Sequence, residues 1–103
     1  MAKKSVVIRN KKRINLNQKY HVKRREIKLK IMDKDLNISI FDKIKLSADL
    51  SSLPRNSSKV RIRNRCFVTG RARGYYRYFN LSRLSLRDMA SFAMLPGVFK
   101  ESF

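Results

Sequence analysis

Acid, glycine, proline and cysteine are all scarce in this sequence, and each shortage excludes something. Cys66 is the only cysteine, so no intramolecular disulfide can form and no secreted disulfide scaffold is present. No apolar run approaches the roughly 18 residues that a membrane-spanning helix needs. The N-terminus is basic, but no apolar stretch of about 7–15 residues follows it as in a secretory signal. Met1 to Arg13 is therefore expected to begin the mature protein. His21 is the one histidine and has no carboxylate or cysteine near it in sequence, which fits a surface or partner-facing residue better than a general base. Gly-rich phosphate loops, a Walker lysine and a nucleophile elbow are all missing, so the sequence offers no catalytic machinery. An enzyme is the least favoured class, and no small-molecule substrate is expected.

What the chain does have is positive charge. Twenty-six Lys and Arg face seven Asp and Glu, a net of +19 with a pI near 11.1. Self-repulsion of that size opposes a compact free chain and favours a polyanionic partner. Arg and Lys are equally numerous at 13 each. The planar Arg fork suits phosphate and base stacking, which leans toward nucleic acid. At 103 residues the chain is one small domain with little core from which to build a deep cleft. Within it, residues 1–31 form a basic arm, 32–57 a neutral segment, and 58–103 a second basic block with a near-neutral tail. Residues 58–87 hold nine basic side chains and no acid.

Residues 1–31 contain neither Gly nor Pro and predict a helix over about 5–31, broken once. The alternation Glu26-Ile-Lys-Leu-Lys-Ile31 would equally suit a short strand. A helix this polar needs an outside surface to lie on. Lys3, Lys4, Arg9, Lys11, Lys12 and Arg13 are its candidate RNA-binding residues. Leu46, Leu50 and Leu53, with Phe41 and Ile44 upstream, predict an amphipathic helix over about 39–53, ended by Pro54. Ser39 and Asp42 have the spacing of a weak capping box. Residues 54–63 read as an extended loop. Asp33 and Asp35 beside Asn37 fit turn chemistry better than a metal or acid–base pair.

Gly70 and Gly74 separate two β-prone runs, Cys66 to Val68 and Tyr75 to Phe79, which predict a small irregular hairpin. Ser82 is a good N-cap, with Leu81 and Leu86 placed for a hydrophobic staple. Leu86, Met89, Ala90, Ala93 and Met94 then share a helical face that Pro96-Gly97 terminates. The fold class is mostly α: an extended helical N-terminal arm, a short middle helix, a small hairpin and a C-terminal helix.

Arg61, Arg63 and Arg65 alternate, and an extended segment would set all three on one side, spaced for successive phosphates. Arg71, Arg73 and Arg77 interleave with Tyr75, Tyr76, Tyr78 and Phe79; Arg83 and Arg87 follow. Such cations hold a nucleic-acid backbone while aromatics stack on unpaired bases. Gly70 and Gly74 would let the chain approach RNA closely. The alternative makes the aromatics a mini-core, which suits Tyr78 and Phe79, and the arginines a solvated face. Nine cations without one acid are costly to hold together unpaired, which argues against a solvated face.

The blocks Leu53-Pro-Arg-Asn-Ser-Ser58, Arg63-Asn-Arg-Cys66, Thr69-Gly-Arg-Ala-Arg-Gly-Tyr75, Leu81-Ser-Arg83 and Leu95-Pro-Gly97 occur in order. With the opening Met1-Ala-Lys-Lys-Ser5, they resemble small-subunit ribosomal protein fourteen over the whole chain. Ser91-Phe-Ala-Met stands where many members carry a Gly-containing turn, Phe103 replaces a usual Trp, and the segment from Leu36 to Leu46 matches poorly. Part of that family carries a zinc ribbon. Its ligand positions correspond here to Cys66, Thr69, Ser82 and Ser85, and one thiol with three hydroxyls cannot hold the ion. The resemblance therefore implies a zinc-free form without cofactors, whose hairpin is a degenerate ribbon, with Cys66 a small buried residue.

The resemblance also implies a structural constituent of the ribosome that binds small-subunit rRNA in the head, supporting assembly and the decoding region. Small-subunit proteins three, ten and nineteen would be its neighbours, and no membrane is expected. Much of the N-terminal arm would order only on RNA. The missing zinc ligands, the divergent middle and an Ile-, Lys- and Asn-rich composition favour a mitochondrial, organelle-encoded ribosomal protein, with plastid or bacterial cytoplasm as alternatives. A free basic DNA/RNA-binding protein is the rival class. A membrane-active peptide fits less well, because cations lie on all sides of the arm.

Overall fold

A computed structural model describes residues 1–34 and 37–102. Asp35, Leu36 and Phe103 lie outside the described residues, and with them part of the turn expected at Asp33 to Asn37 and the chain's final aromatic. The fold is mostly helical with a small antiparallel hairpin, as the sequence predicts. Two compact units can be distinguished: Arg9–Ile62, and Met1–Ile8 together with Arg63–Phe103.

Helix α1 runs from Lys4–Met32 without a break, and the strand alternative for Glu26 to Ile31 does not form. With no Gly or Pro to interrupt it and many straight-chain Lys, Arg and Gln residues, helical propensity carries through the expected break. Helix α2 spans Ile40–Ser52. Ser39 caps it: its Oγ accepts the Asp42 N–H at 3.2 Å and its hydroxyl donates to Asp42 Oδ2 at 2.9 Å. The expected box is thus half made, with the Asp42 carboxylate taking the Ser39 hydroxyl.

Residues 54–63 are not an extended loop. They coil into two single 3-10 turns, Arg55–Ser57 and Lys59–Arg61. The first is fixed to α1 by polar contacts. Ser57 is fully buried. Asn17 Nδ2 donates to the Ser57 carbonyl at 3.0 Å, and Arg24 Nε donates to Ser57 Oγ at 2.7 Å. Arg24 Nη2 also reaches the Pro54 carbonyl at 2.9 Å. A short backbone turn with unpaired carbonyls needs such donors when buried.

In the other unit the hairpin differs from expectation. Strand β1, Tyr75–Tyr76, pairs antiparallel with β2, Leu81–Ser82, in the register Tyr75 to Ser82 and Tyr76 to Leu81. Cys66 to Val68 is a turn instead of a strand. Its backbone is used locally: Cys66 N–H donates to the Arg71 carbonyl and Gly70 N–H to the Cys66 carbonyl, both at 2.9 Å. Asn80, at φ 56°, takes the left-handed position that the short β1–β2 connection requires.

Helix α3, Arg83–Ser91, starts at the predicted cap, with Ser82 Oγ accepting the Ser85 N–H at 3.3 Å. It stops earlier than the apolar spacing suggests, leaving Ala93 and Met94 outside. Met94 N–H bonds back to the Met89 carbonyl and Ala93 N–H to that of Ala90, the pair of a Schellman stop. Ala93 holds the left-handed position at φ 52°, where glycine is the usual occupant.

Gly70 is needed for packing within the chain. At φ +76° it is buried, and a Cβ there would sit 2.9 Å from Val7 Cγ2. Two opposite substitutions follow. Ala93→Gly should stabilise the 63–91 segment by about 1 kcal/mol, since it relieves a left-handed alanine. Gly70→Ala should destabilise it by about 1–3 kcal/mol. Urea unfolding of the full chain, with hydrogen exchange to localise the change, reads both.

Candidate nucleic-acid interface

The first consequence of the hairpin is that the four former zinc positions converge. Cys66 Sγ and Ser85 Oγ are 3.5 Å apart, and the Ser82 hydroxyl donates to Ser85 Oγ at 3.2 Å. Thr69 adds hydrogen bonds to the same sulfur. Ser82 is already engaged as the cap of α3. Zinc requires four nitrogen or sulfur ligands, and one thiol with three hydroxyls does not fit it. Among the described residues no group of three His, Cys, Asp or Glu lies together. Hydrogen bonds close this knuckle where a metal would otherwise do so.

Burial raises the Cys66 thiol pKa, but the donors outweigh it. Thr69, through hydroxyl and backbone, the Ser85 hydroxyl and the Ser82 backbone together bring the group down from 9.0 to about 5. A folded pKa below the unfolded one stabilises fully above about pH 9, and that contribution is lost as pH falls through about 5.

The predicted cations divide between the units. Arg9, Lys11, Lys12, Arg13 and Arg61 belong to one; Lys3, Lys4, Arg63, Arg65, Arg71, Arg73, Arg77, Arg83 and Arg87 belong to the other. All are exposed except Arg13, Arg65 and Arg71, which are half-buried. The expected single row of Arg61, Arg63 and Arg65 on an extended strand does not form, because Arg61 lies in a 3-10 turn. Its Nη1 donates to Asn56 Oδ1 at 3.2 Å. Arg63 and Arg65 instead brace the knuckle, donating to the carbonyls of Ala72 at 3.2 Å and Gly70 at 2.9 Å. Arg87 Nη2 is partly occupied by the Ser102 carbonyl at 2.8 Å.

The aromatics separate in the same way. Tyr75 is half-buried, and its hydroxyl donates to Asn80 Oδ1 at 2.7 Å, so it belongs to the hairpin. Tyr76 is exposed. Tyr78 is not the mini-core residue that its position suggests: it is 90% exposed, edge-on to the half-buried Phe79 at 4.9 Å between centroids. Phe67, 88% exposed on the knuckle turn, is a third open aromatic, one that sequence reasoning passed over. It was read as a strand residue, and only the turn at Cys66 to Gly70 reveals its exposure. Beside the knuckle an open cleft of about 520 Å³ is lined by Met1, Ala2, Thr69, Arg71, Ala72, Arg73, Ser82 and Leu84. Asn17, Arg24 and Ser57 also went unnoticed as a unit, since their contact joins positions far apart in sequence. His21 is exposed.

Fold and site together define a small basic helical protein built around a metal-free knuckle. The family model described as "Ribosomal protein S14p/S29e" matches residues 49–102. "Small ribosomal subunit protein uS14c" of Mesostigma viride is 52% identical over 103 residues, covering the whole of both chains. The protein of the same name from Euglena longa is 48% identical, and "Small ribosomal subunit protein uS14" of Trichodesmium erythraeum (strain IMS101) is 50% identical, each again over full length. The chain belongs to the ribosomal protein S14p/S29e family. It is a structural ribosomal protein and not an enzyme. These relatives are chloroplast and bacterial proteins, which supports a plastid or bacterial ribosome; the mitochondrial ribosome expected from composition finds no support among them.

The knuckle chemistry makes its own prediction. With Cys66 labelled at 13Cβ, the folded full chain should titrate near pH 5 and the urea-unfolded chain near 9. Ser85→Ala should raise the folded midpoint. A folded midpoint at the unfolded value would rule out hydrogen bonding as the support of the thiolate.

Proposed function

We propose that the chain binds small-subunit ribosomal RNA in the subunit head, as one RNA-bound domain, and supports head assembly and the decoding region. The observation that carries this reading is the acid-free run 58–87: seven of its nine cations, most of them exposed, lie in the unit whose hairpin and knuckle turn present Tyr76, Tyr78 and Phe67 to solvent. Cations and open aromatics on the same small unit match the two things unpaired RNA offers, phosphates and base faces.

In this reading Lys3, Lys4, Arg9, Lys11, Lys12, Arg13, Arg61, Arg73, Arg77, Arg83 and Arg87 contact phosphates. Arg63 and Arg65 do so with the donors that their carbonyl contacts leave over, since an Arg carries five, and Arg71 with its half-buried guanidinium. Tyr76 stacks on bases, while Tyr75 contacts RNA only through its exposed part. Proteins three, ten and nineteen of the small subunit are the proposed neighbours. The names of the relatives support a plastid-type or bacterial-type particle, and the mitochondrial alternative rests on the missing zinc ligands, the divergent middle and composition.

Sedimentation of the tagged chain tests this. It should remain with small subunits of the plastid or bacterial type through a high-salt wash. Scattered phosphate contacts alone would weaken by roughly 10³–10⁵ between 50 and 200 mM salt for 6–10 contacts. Release into a soluble pool would make the chain a free nucleic-acid binder, and co-sedimentation with mitochondrial subunits would restore the compartment inferred from composition. In binding to the isolated rRNA domain, Arg73→Ala and Arg77→Ala should each lower the salt slope by about one.

A further inference from the structure

One face of α2 is unlike the rest of this chain. At 100° per residue, Ile40, Phe41, Ile44, Ser47, Ala48 and Ser51 fall within an arc of about 120°. No charged residue enters it. Ile40, Phe41 and Ile44 are 76%, 78% and 60% exposed, and Ala48 and both serines are also exposed. The Ser51 hydroxyl is turned back onto the Ser47 carbonyl at 2.9 Å, so it offers the surface no free donor proton. The opposite side of the helix is the one used inside its own unit, where Leu46 and Leu50 are half-buried and the adjoining Leu53 is buried.

The face is also capped at its start. The Ser39 cap fixes the first helical turn, and that turn carries Ile40 and Phe41. Three large apolar groups are thus held in open water at the start of a helix whose far half is lined by Ala and Ser. A bulky end and a flat end make a surface that a partner can both grip and approach closely.

Charge decides what kind of partner that is. Phosphate is poorly matched, because an uncharged arc supplies no counter-ion and the helix as a whole has no net charge, with Asp42, Lys43, Lys45 and Asp49 cancelling. On the helical wheel Lys43 and Lys45 flank the arc on its two sides, while Asp42 and Asp49 lie behind it. The matching surface is an apolar groove with carboxylates along both rims, which is a protein surface and not an RNA one.

We propose that α2 docks its Ile40–Phe41–Ile44 face into an apolar, carboxylate-rimmed groove of another small-subunit protein, as a helix-in-groove contact. This rests on the ribosomal reading above and assigns the surface through which the chain meets one of its protein neighbours. The neutral segment is then the part of the chain that meets protein, between two basic blocks that meet RNA. Apolar anchors at the centre of such a contact carry most of its affinity, and the flanking lysines set its orientation.

Site-specific photo-crosslinking in purified, salt-washed small subunits tests it, with benzoylphenylalanine replacing Phe41 in one full-length chain and Tyr78 in another. The expected result is an adduct from position 41 to a peptide of one other small-subunit protein, apolar and containing Asp or Glu, while position 78 labels rRNA. RNA adducts, adducts to a second copy of this chain, or no adduct from position 41, with position 78 still labelling rRNA, would overturn the docking proposal and leave the RNA-bound reading standing. Absence of both chains from the particles would overturn the two together. In cells expressing both forms equally, Ile44→Ser should be depleted from particles at least about tenfold against wild type. Ile44→Leu should be retained. Equal incorporation of Ile44→Ser would likewise refute the docking.

Discussion

Unbalanced positive charge is the constraint on which everything else in this protein depends. At +19 over 103 residues, each added turn of structure brings like charges closer. The apolar residues that might offset this are few: among the described residues only Leu53, Cys66 and Leu81 are buried hydrophobics. Salt screens exposed charges over about 8 Å at physiological strength, too little to cancel a dense run such as residues 58–87. In the proposed RNA-bound state the polyanion supplies the missing term: it neutralises the cations and gives α1, a 29-residue helix with scarcely any apolar face, a surface to lie on.

Without a large core, the chain is fixed by small polar joints. Ser57 shows the principle: a fully buried hydroxyl and its backbone carbonyl are taken up by Arg24 and Asn17 across more than thirty residues of sequence. The knuckle shows it again. Ser82 caps α3 and donates to Ser85, and the Ser85 and Thr69 hydroxyls support the Cys66 sulfur. A metal would hold four sulfurs with strong bonds; here capping, hydroxyls and the Cys66 sulfur hold the same positions through several weaker ones. Arg63 and Arg65 add their own carbonyl contacts. Some arginines therefore serve the fold as well as any partner.

Elements governed by local chemistry were legible in the sequence. The Ser82 cap and the Ser39 cap were readable because capping depends on residues three apart, and the Leu46–Leu50–Leu53 spacing located the inner face of α2. Features set by tertiary contact were not. Residues 54–63 lack helical spacing, and only the donors Asn17 and Arg24 explain their two turns. The strand pairing of Tyr75–Tyr76 with Leu81–Ser82 depends on Asn80 taking a left-handed turn, which displaced Cys66 to Val68 from the sheet. α3 ended early because Ala93, without the usual glycine, adopted the left-handed stop. Most of the candidate cations were identifiable from charge alone, yet which of them brace the knuckle and which are exposed required the backbone path. Tyr78 and Phe67 were misjudged because exposure depends on the turn and not on residue type.

Hydrogen exchange on the full chain, free at low salt and then assembled in small subunits, tests the central claim most directly. The account predicts that amides of residues 11–31 exchange nearly unprotected in the free chain and become strongly protected in the particle. Residues 63–91, held by the knuckle, should be protected in both. Equal protection of residues 11–31 in the free chain would contradict it, because the long basic helix would then stand without a polyanion.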